Sequence, residues 1–397
     1  MKKLLFIVVI AVVGFAAYAV FAPSSFAPVA WTPPSGDPPS AADGADTRSL
    51  AAATRLAQGV ARGPEDVAVD DRGRIYAGYE DGTIRRFDAQ GNGGEVYATT
   101  NGRPLGLAWA AAPLFDDADM PNRPADEAEL TRASGASPAP TAGQTLLVAD
   151  ADQGLLAVGA DGDITVLTHA AGDAPFAFTD DVDVASDGAI YFTDASSKYG
   201  KNNYRADLLE HGGHGRLLKY DPESRQASVL LDGLQFANGV AVGPDDAYVL
   251  VTETGSYRVL RYWLKGDKAG QHDVFIDNLP GFPDGISFNG SDTFWLALFA
   301  PRDPILDRVA GYPWIREIVY HLPEILQPQP AHVGHLMGLN TDGRVVRDLI
   351  DRRDAAFAPI TSVEQAGDQL YLGSLTADSL ARLPVPAEPD HQQPGSP

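Results

Sequence analysis

The sequence predicts an all-β fold, a six-bladed β-propeller, with a membrane-anchor helix before it. Three observations carry this reading. A hairpin pattern recurs six times between residues 49 and 385. The chain has 40 Gly and 30 Pro, a turn-rich composition that disfavours long helical bundles. The N-terminus pairs two lysines with a long uncharged run.

The chain opens with Lys2 and Lys3, followed by 19 uncharged residues from Leu4 to Ala22. At about 1.5 Å per residue such a helix nearly crosses a hydrocarbon core of about 30 Å. The lysines belong on the cytoplasmic side, which puts the rest of the chain outside the cytoplasm. A cleaved signal peptide is the alternative, with Ala17-Tyr18-Ala19 as a cleavage site and a secreted or periplasmic product. A buried core helix fits a basic N-terminus poorly.

Residues 23–48 carry Pro23, Pro28, Pro33, Pro34, Pro38 and Pro39 and read as an extended tether that builds no core. The propeller follows over 49–385, and the end of the chain, 386–397, is a polar, Pro-rich tail. An Ala-, Pro- and Asp-rich stretch from Ala111 to Gly143 reads as a surface insertion.

The repeat is seen best in four hairpins. They are Pro64 to Val69 with Ile75-Tyr76, Thr179 to Val184 with Ile190-Tyr191, Ala237 to Val242 with Tyr248-Val249, and Pro283 to Phe288 with Phe294-Trp295. In each, a marker residue of the second strand lies seven positions after the last apolar residue of the first. Period-two apolar residues around a short Gly/Asp/Asn turn describe a β-hairpin. Two weaker copies complete the set: Pro104 to Trp109 rejoining at Leu146-Leu147, and Ala358 to Val363 rejoining at Leu370-Tyr371 with one extra residue. A two-sheet sandwich does not explain the fixed spacing, whereas radial repetition does.

First strands of propeller blades line the central channel. The second residue of the six hexads is Glu65, Leu105, Asp180, Asn238, Asp284 and Pro359. Four of these are oxygen donors, far apart in sequence. Hard oxygen donors around an axis suit Ca2+, with Glu65, Asp180, Asn238 and Asp284 as the ligands. The plain alternative is that Asp, Asn and Glu are common before strands. Zinc is disfavoured, because the chain has no cysteine and no histidine falls in this frame. The net charge of −23 argues against nucleic acid as a partner. No serine-hydrolase elbow and no P-loop occurs.

Several stretches resemble the strictosidine synthase-like group of the calcium-dependent propeller superfamily, in particular the adipocyte plasma membrane-associated proteins. Gluconolactonases and paraoxonases are more distant. The stretches are 191–199, 215–222, 231–240, 257–263, 279–284 and 371–375. The resemblance implies a calcium site of one Glu, two Asn and one Asp, which Glu65, Asn238 and Asp284 match. Asp180 stands where an Asn is usual, and its extra charge should bind the cation more tightly while leaving it a weaker Lewis acid. The resemblance implies a catalytic glutamate in the last blade for alkaloid condensation. The corresponding window here is Pro359-Ile360-Thr361, with Glu364 out of register. The paraoxonase histidine pair is absent as well.

The expected activity is therefore a calcium-dependent hydrolysis of lactones or aryl esters. Asp180 or Asp150 would be the general base, and the substrate a small apolar ester or lactone. The alternative is a non-catalytic, membrane-tethered propeller that binds a ligand or partner, with structural calcium. Insertions at about 198–214 and 301–337 should cover the substrate face, with Tyr312, Trp314, Tyr320 and His321 as an aromatic rim.

Overall fold

A computed structural model describes residues 24–110 and 144–387, together with Gly14. Six four-stranded antiparallel sheets follow one another along the chain and make six blades. Their innermost strands are Val67–Val69, Pro104–Ala110, Thr179–Val184, Ala237–Val242, Gly281–Phe288 and Ser362–Ala366. Five blades are built from consecutive strands. The sixth takes its outermost strand, Thr54–Leu56, from the opposite end of the propeller sequence, and this pairing closes the ring.

The core consists of the layers between blades. In the second strand of blade 2, Leu146 and Val148 pack against blade 1 beside Tyr76 and Ile84. The intervening Leu147 and Ala149 pack against blade 3 beside Phe192 and Leu218. Successive side chains of a strand point to opposite faces, so a strand buried on both sides must be apolar throughout. The run Leu146-Leu147-Val148-Ala149 is the direct consequence. Analogous apolar layers fill the other junctions, including that between blades 6 and 1, where Leu56, Val67, Phe87, Tyr371 and Leu380 meet.

Of three sequence-based expectations, one falls outside the described residues and two change. The anchor 1–22 lies outside the described residues apart from Gly14, and among the described residues no helix is long and apolar enough to cross a membrane. The insertion 111–143 and residues 388–397 of the tail are also outside them.

Second, residues 24–48 are largely extended, as expected, but they are no free tether. Residues 24–37 lie across the loops of blades 3 to 5, and Asp46 bridges to Leu349 on blade 5. Phe26 is buried against Tyr199 and Ala206, and Leu50 joins the layer between blades 5 and 6. Prolines prevent regular structure but leave carbonyls and aromatic side chains free to dock.

Third, the last hairpin is one residue shorter than those of blades 1, 3 and 5, not longer. Gln365 pairs with Leu370, whereas the corresponding pair in blade 1 is Val69 with Ile75. The residue of blade 6 that stands at the axial register is therefore Thr361 rather than Pro359.

A candidate metal and ligand site on the propeller axis

The axial residues project because the inner strands bulge beneath them. Pairing with the second strand is interrupted between Thr179 and Val182, Ala237 and Val240, and Pro283 and Ile286. Each gap contains one axial residue and its successor: Asp180-Asp181, Asn238-Gly239 and Asp284-Gly285. A bulge inserts unpaired backbone and re-aims its side chains.

Neighbouring blades then fix these bulges. The Thr193 hydroxyl donates to Asn238 O (2.6 Å), and Thr252 donates to Asp284 O (2.9 Å). Thr361 and Ser362 both donate to Glu65 O (2.8 Å each). Two glycines permit the approach. A Cβ on Gly239 would lie 2.5 Å from Asp284 O, and one on Gly285 would lie 2.7 Å from Thr361 O.

Glu65, Asp180, Asn238 and Asp284 thus come from four blades to one place, each nearly buried. They border a cavity of about 1000 Å³. Glu65, Asp180 and Asn238 also border a second cavity of about 220 Å³ on the other side. The ring is therefore the constriction between a wide chamber and a narrow one. Phe178, Phe236, Phe282, Phe299 and Tyr257 are among the walls of the wide chamber.

The carboxyls of the ring oppose one another's ionisation. Burial, then the neighbouring Asp66, pushes Glu65 up to about 8, against the pull of Arg103. Burial, then Glu65 and Asp284, holds Asp180 well above the usual carboxylate range. Asp284 is raised by burial and Glu65, while its hydrogen bond from Asn238 acts in the other direction.

These features fit a hard cation. All four donors are oxygens, Asp180 Oδ2 is buried without a hydrogen-bond partner, and clustered buried carboxylates are costly until a positive charge joins them. The ring is not closed onto a point, however. Among the described residues no group of three His, Asp or Glu side chains stands ready to hold a metal ion.

Asp150 lies apart from the ring. It is fully buried, and its Oδ1 accepts from the backbone N–H of Arg103 (3.0 Å), Asp152 (2.9 Å) and Gln153 (2.9 Å). That carboxylate holds a turn, and it does not border the wide chamber. The aromatic rim also differs from expectation. Tyr312 and Trp314 are 54% and 57% exposed, and neither lines the chamber. Their insertion does cover this face, with the helices Pro304–Val309 and Pro313–His321.

Two sets of residues escaped the sequence reading. Arg103, two positions before Leu105, is buried at the ring, and its Nη2 donates to Gly63 O (2.9 Å). A basic residue beside a strand of otherwise apolar type was the available signal. Beneath the ring stand Asp66, Asp181, Asp183 and Glu364, lining the narrow chamber. Asp66 accepts from Leu107 N (2.8 Å), Asp181 from Val240 N (2.8 Å) and Asp183 from Val242 N (2.7 Å). Inner strands of different blades share no ladder, so these carboxylates satisfy the donors left over. The pairs Glu65-Asp66 and Asp180-Asp181 thus divide into one axial residue and one staple.

Comparison with known proteins agrees with this architecture. The strictosidine synthase family model matches residues 180–267, and the strictosidine synthase-like N-terminal model matches 47–87. Protein strictosidine synthase-like 10 of Arabidopsis thaliana is 35% identical over 327 residues, covering 79% of this chain and 83% of that protein. The adipocyte plasma membrane-associated protein of Salmo salar is 35% identical over 250 residues, 60% of each chain. Among solved structures, a gluconolactonase from Xanthomonas campestris superposes with a TM-score of 0.56 at 16% identity, covering 90% of this chain and 99% of that one. The calcium-binding protein regucalcin from Agrobacterium tumefaciens gives 0.52 at 14% identity, covering 83% and 92%. At such identities these two speak for the fold alone.

Proposed function

Because this chain belongs to the strictosidine synthase-like family, with the gluconolactonase type of propeller, we propose that it is a calcium-dependent hydrolase of lactones or aryl esters. The observation that carries the reading is the placement of Glu65, Asp180, Asn238 and Asp284 at the floor of an aromatic-walled chamber of about 1000 Å³. Apolar walls with a few convergent polar groups suit a small apolar ligand that carries one polar reactive bond.

Glu65, Asp180, Asn238 and Asp284 would hold the ion. Calcium, when bound, supplies polarisation of the ester or lactone carbonyl. The chain's own groups do the rest. Aromatic walls exclude water from the acyl or aryl group. Asp180, which has an unpartnered oxygen, would take a proton from an attacking water. Arg103 puts a guanidinium beside the ring, where it offsets the charge of Glu65. The family membership and the relation to a membrane-associated protein support attachment of the propeller to a membrane through residues 1–22, with the chamber outside the cytoplasm.

The test is turnover of a chromogenic aryl ester and of a lactone. Hydrolysis should disappear with a chelator, return with Ca2+, and be absent in Glu65→Ala. Calcium binding without turnover of either substrate would instead favour a ligand-binding propeller.

A further inference from the structure

The segment that precedes the propeller is built into the cap. Val29 N donates to Glu210 O (2.8 Å), and Trp31 N to Ala310 O (3.3 Å). Ala27 N donates to the Glu210 carboxylate (3.0 Å). Lys198 holds the same carboxylate at 2.7 Å, and Tyr199 and His214 also bond to it. Arg316 is buried and donates to Val29 O and, at 2.8 Å, to Leu209 O. Arg302 donates to Pro34 O (2.7 Å). Phe26 stacks on Tyr320 with centroids 4.2 Å apart.

The result is the position of one side chain. Trp31 is half-buried, stacks on His211 with centroids 4.1 Å apart, and meets Tyr257 at 5.9 Å. It borders the same chamber as the axial ring.

We infer that Trp31 is a ligand-contacting, specificity-determining residue, and that the N-terminal strap is part of the binding site. This rests on reading the chamber as an ester or lactone site. The indole face turned away from His211 is a large, rigid, apolar surface that costs little entropy to present. With the ring fixing the polar end of a ligand, an indole on the chamber wall adds contact for ligands whose apolar group extends along that wall. Trp31 therefore selects for long or bulky acyl groups and leaves short ones unaffected.

The experiment uses the full-length protein and compares p-nitrophenyl acetate with p-nitrophenyl decanoate. For Trp31→Ala, KM for the decanoate should rise about fivefold or more, the loss of one good aromatic contact. KM for the acetate should stay unchanged, as should both constants in Trp314→Ala. A second readout needs no turnover: a long-chain bromoalkanol, a contact quencher, should dim tryptophan emission in the wild type and do so far less in Trp31→Phe. Decanoate KM and quenching both unchanged in the Trp31 variants would overturn the inference. If Trp31→Ala does not fold, quenching in Trp31→Phe decides. Trp31-dependent quenching in a protein that hydrolyses neither these esters nor a lactone would refute the hydrolase reading and leave ligand contact by Trp31 standing.

Discussion

The axial ring and the N-terminal strap border one chamber and are constructed in opposite ways. Each ring residue occupies the same register in a different blade, and the backbones of Asn238, Asp284 and Glu65 are tied to the preceding blade by the hydroxyls of Thr193, Thr252 and Thr361. The strap has no repeat, no strand and no partner of its own kind. It is held by Glu210, Arg302 and Arg316, which belong to insertions in two blades. The ring is thus specified by one repeated position in four blades, while the strap depends on single long-range contacts. A substitution in the ring should act through charge and close packing, and one in the strap through docking.

The largest expected contrast is in response to calcium. A ligand that binds only the folded state stabilises it by RT ln(1 + [L]/Kd), about 2.7 kcal/mol at a hundredfold excess. Thermal unfolding with and without chelator should show that gain in the wild type and in Trp31→Ala. It should be lost in Asp180→Ala. A melting curve indifferent to calcium, in protein found free of metal, would remove the ring's proposed role.

Close packing comes next. In Gly239→Ala the new Cβ meets Asp284 O at 2.5 Å. Overpacking of this kind costs about 1–3 kcal/mol. The same variant should weaken calcium binding, because it pushes apart the Asn238 and Asp284 backbones. Denaturant unfolding measures the first effect and calcium titration the second. A variant as stable as wild type would show that the bulges tolerate movement and that the ring is looser than the strap.

The smallest effect is a pH response confined to the strap. Burial, together with Arg316 and Arg258, depresses His211 from 6.5 to about 3. The folded protein holds this imidazole neutral, so its stability contribution is complete above pH 6.5 and declines as pH falls from there toward 3. At pH 5.5 the loss is on the order of 1 kcal/mol. Acidification should therefore change Trp31 emission and expose residues 24–37 to protease before the blades unfold. His211→Phe, which keeps the stack and removes the titration, should abolish the change. Release at the same pH in that variant would assign the response to another group.

The ring was largely legible in advance. Glu65, Asp180, Asn238 and Asp284 share one offset from the hairpin marker, and equal register on radial blades brings equal positions to the axis. The sixth position was misread as Pro359, two residues early, because the hairpin was counted one residue longer than the repeat when it is one residue shorter. Asp66 and Asp181 were visible as letters but not as staples, since what they bond is the inner strand of another blade. Trp314 looked like a rim residue, and Trp31 like part of a tether. The structure exchanges them: the first is exposed, and the second borders the chamber.

Period, turn chemistry and apolar alternation are properties of neighbours in the chain, so the sequence by itself determined the hairpins, the six blades and the donors that face the axis. Which blade receives residues 54–56, which carboxylate becomes a staple and which tryptophan borders the chamber depend on groups tens to hundreds of residues apart. Those pairings carry no local period. Only the closed ring of blades, by burying donors and acceptors that must then find partners, decided them.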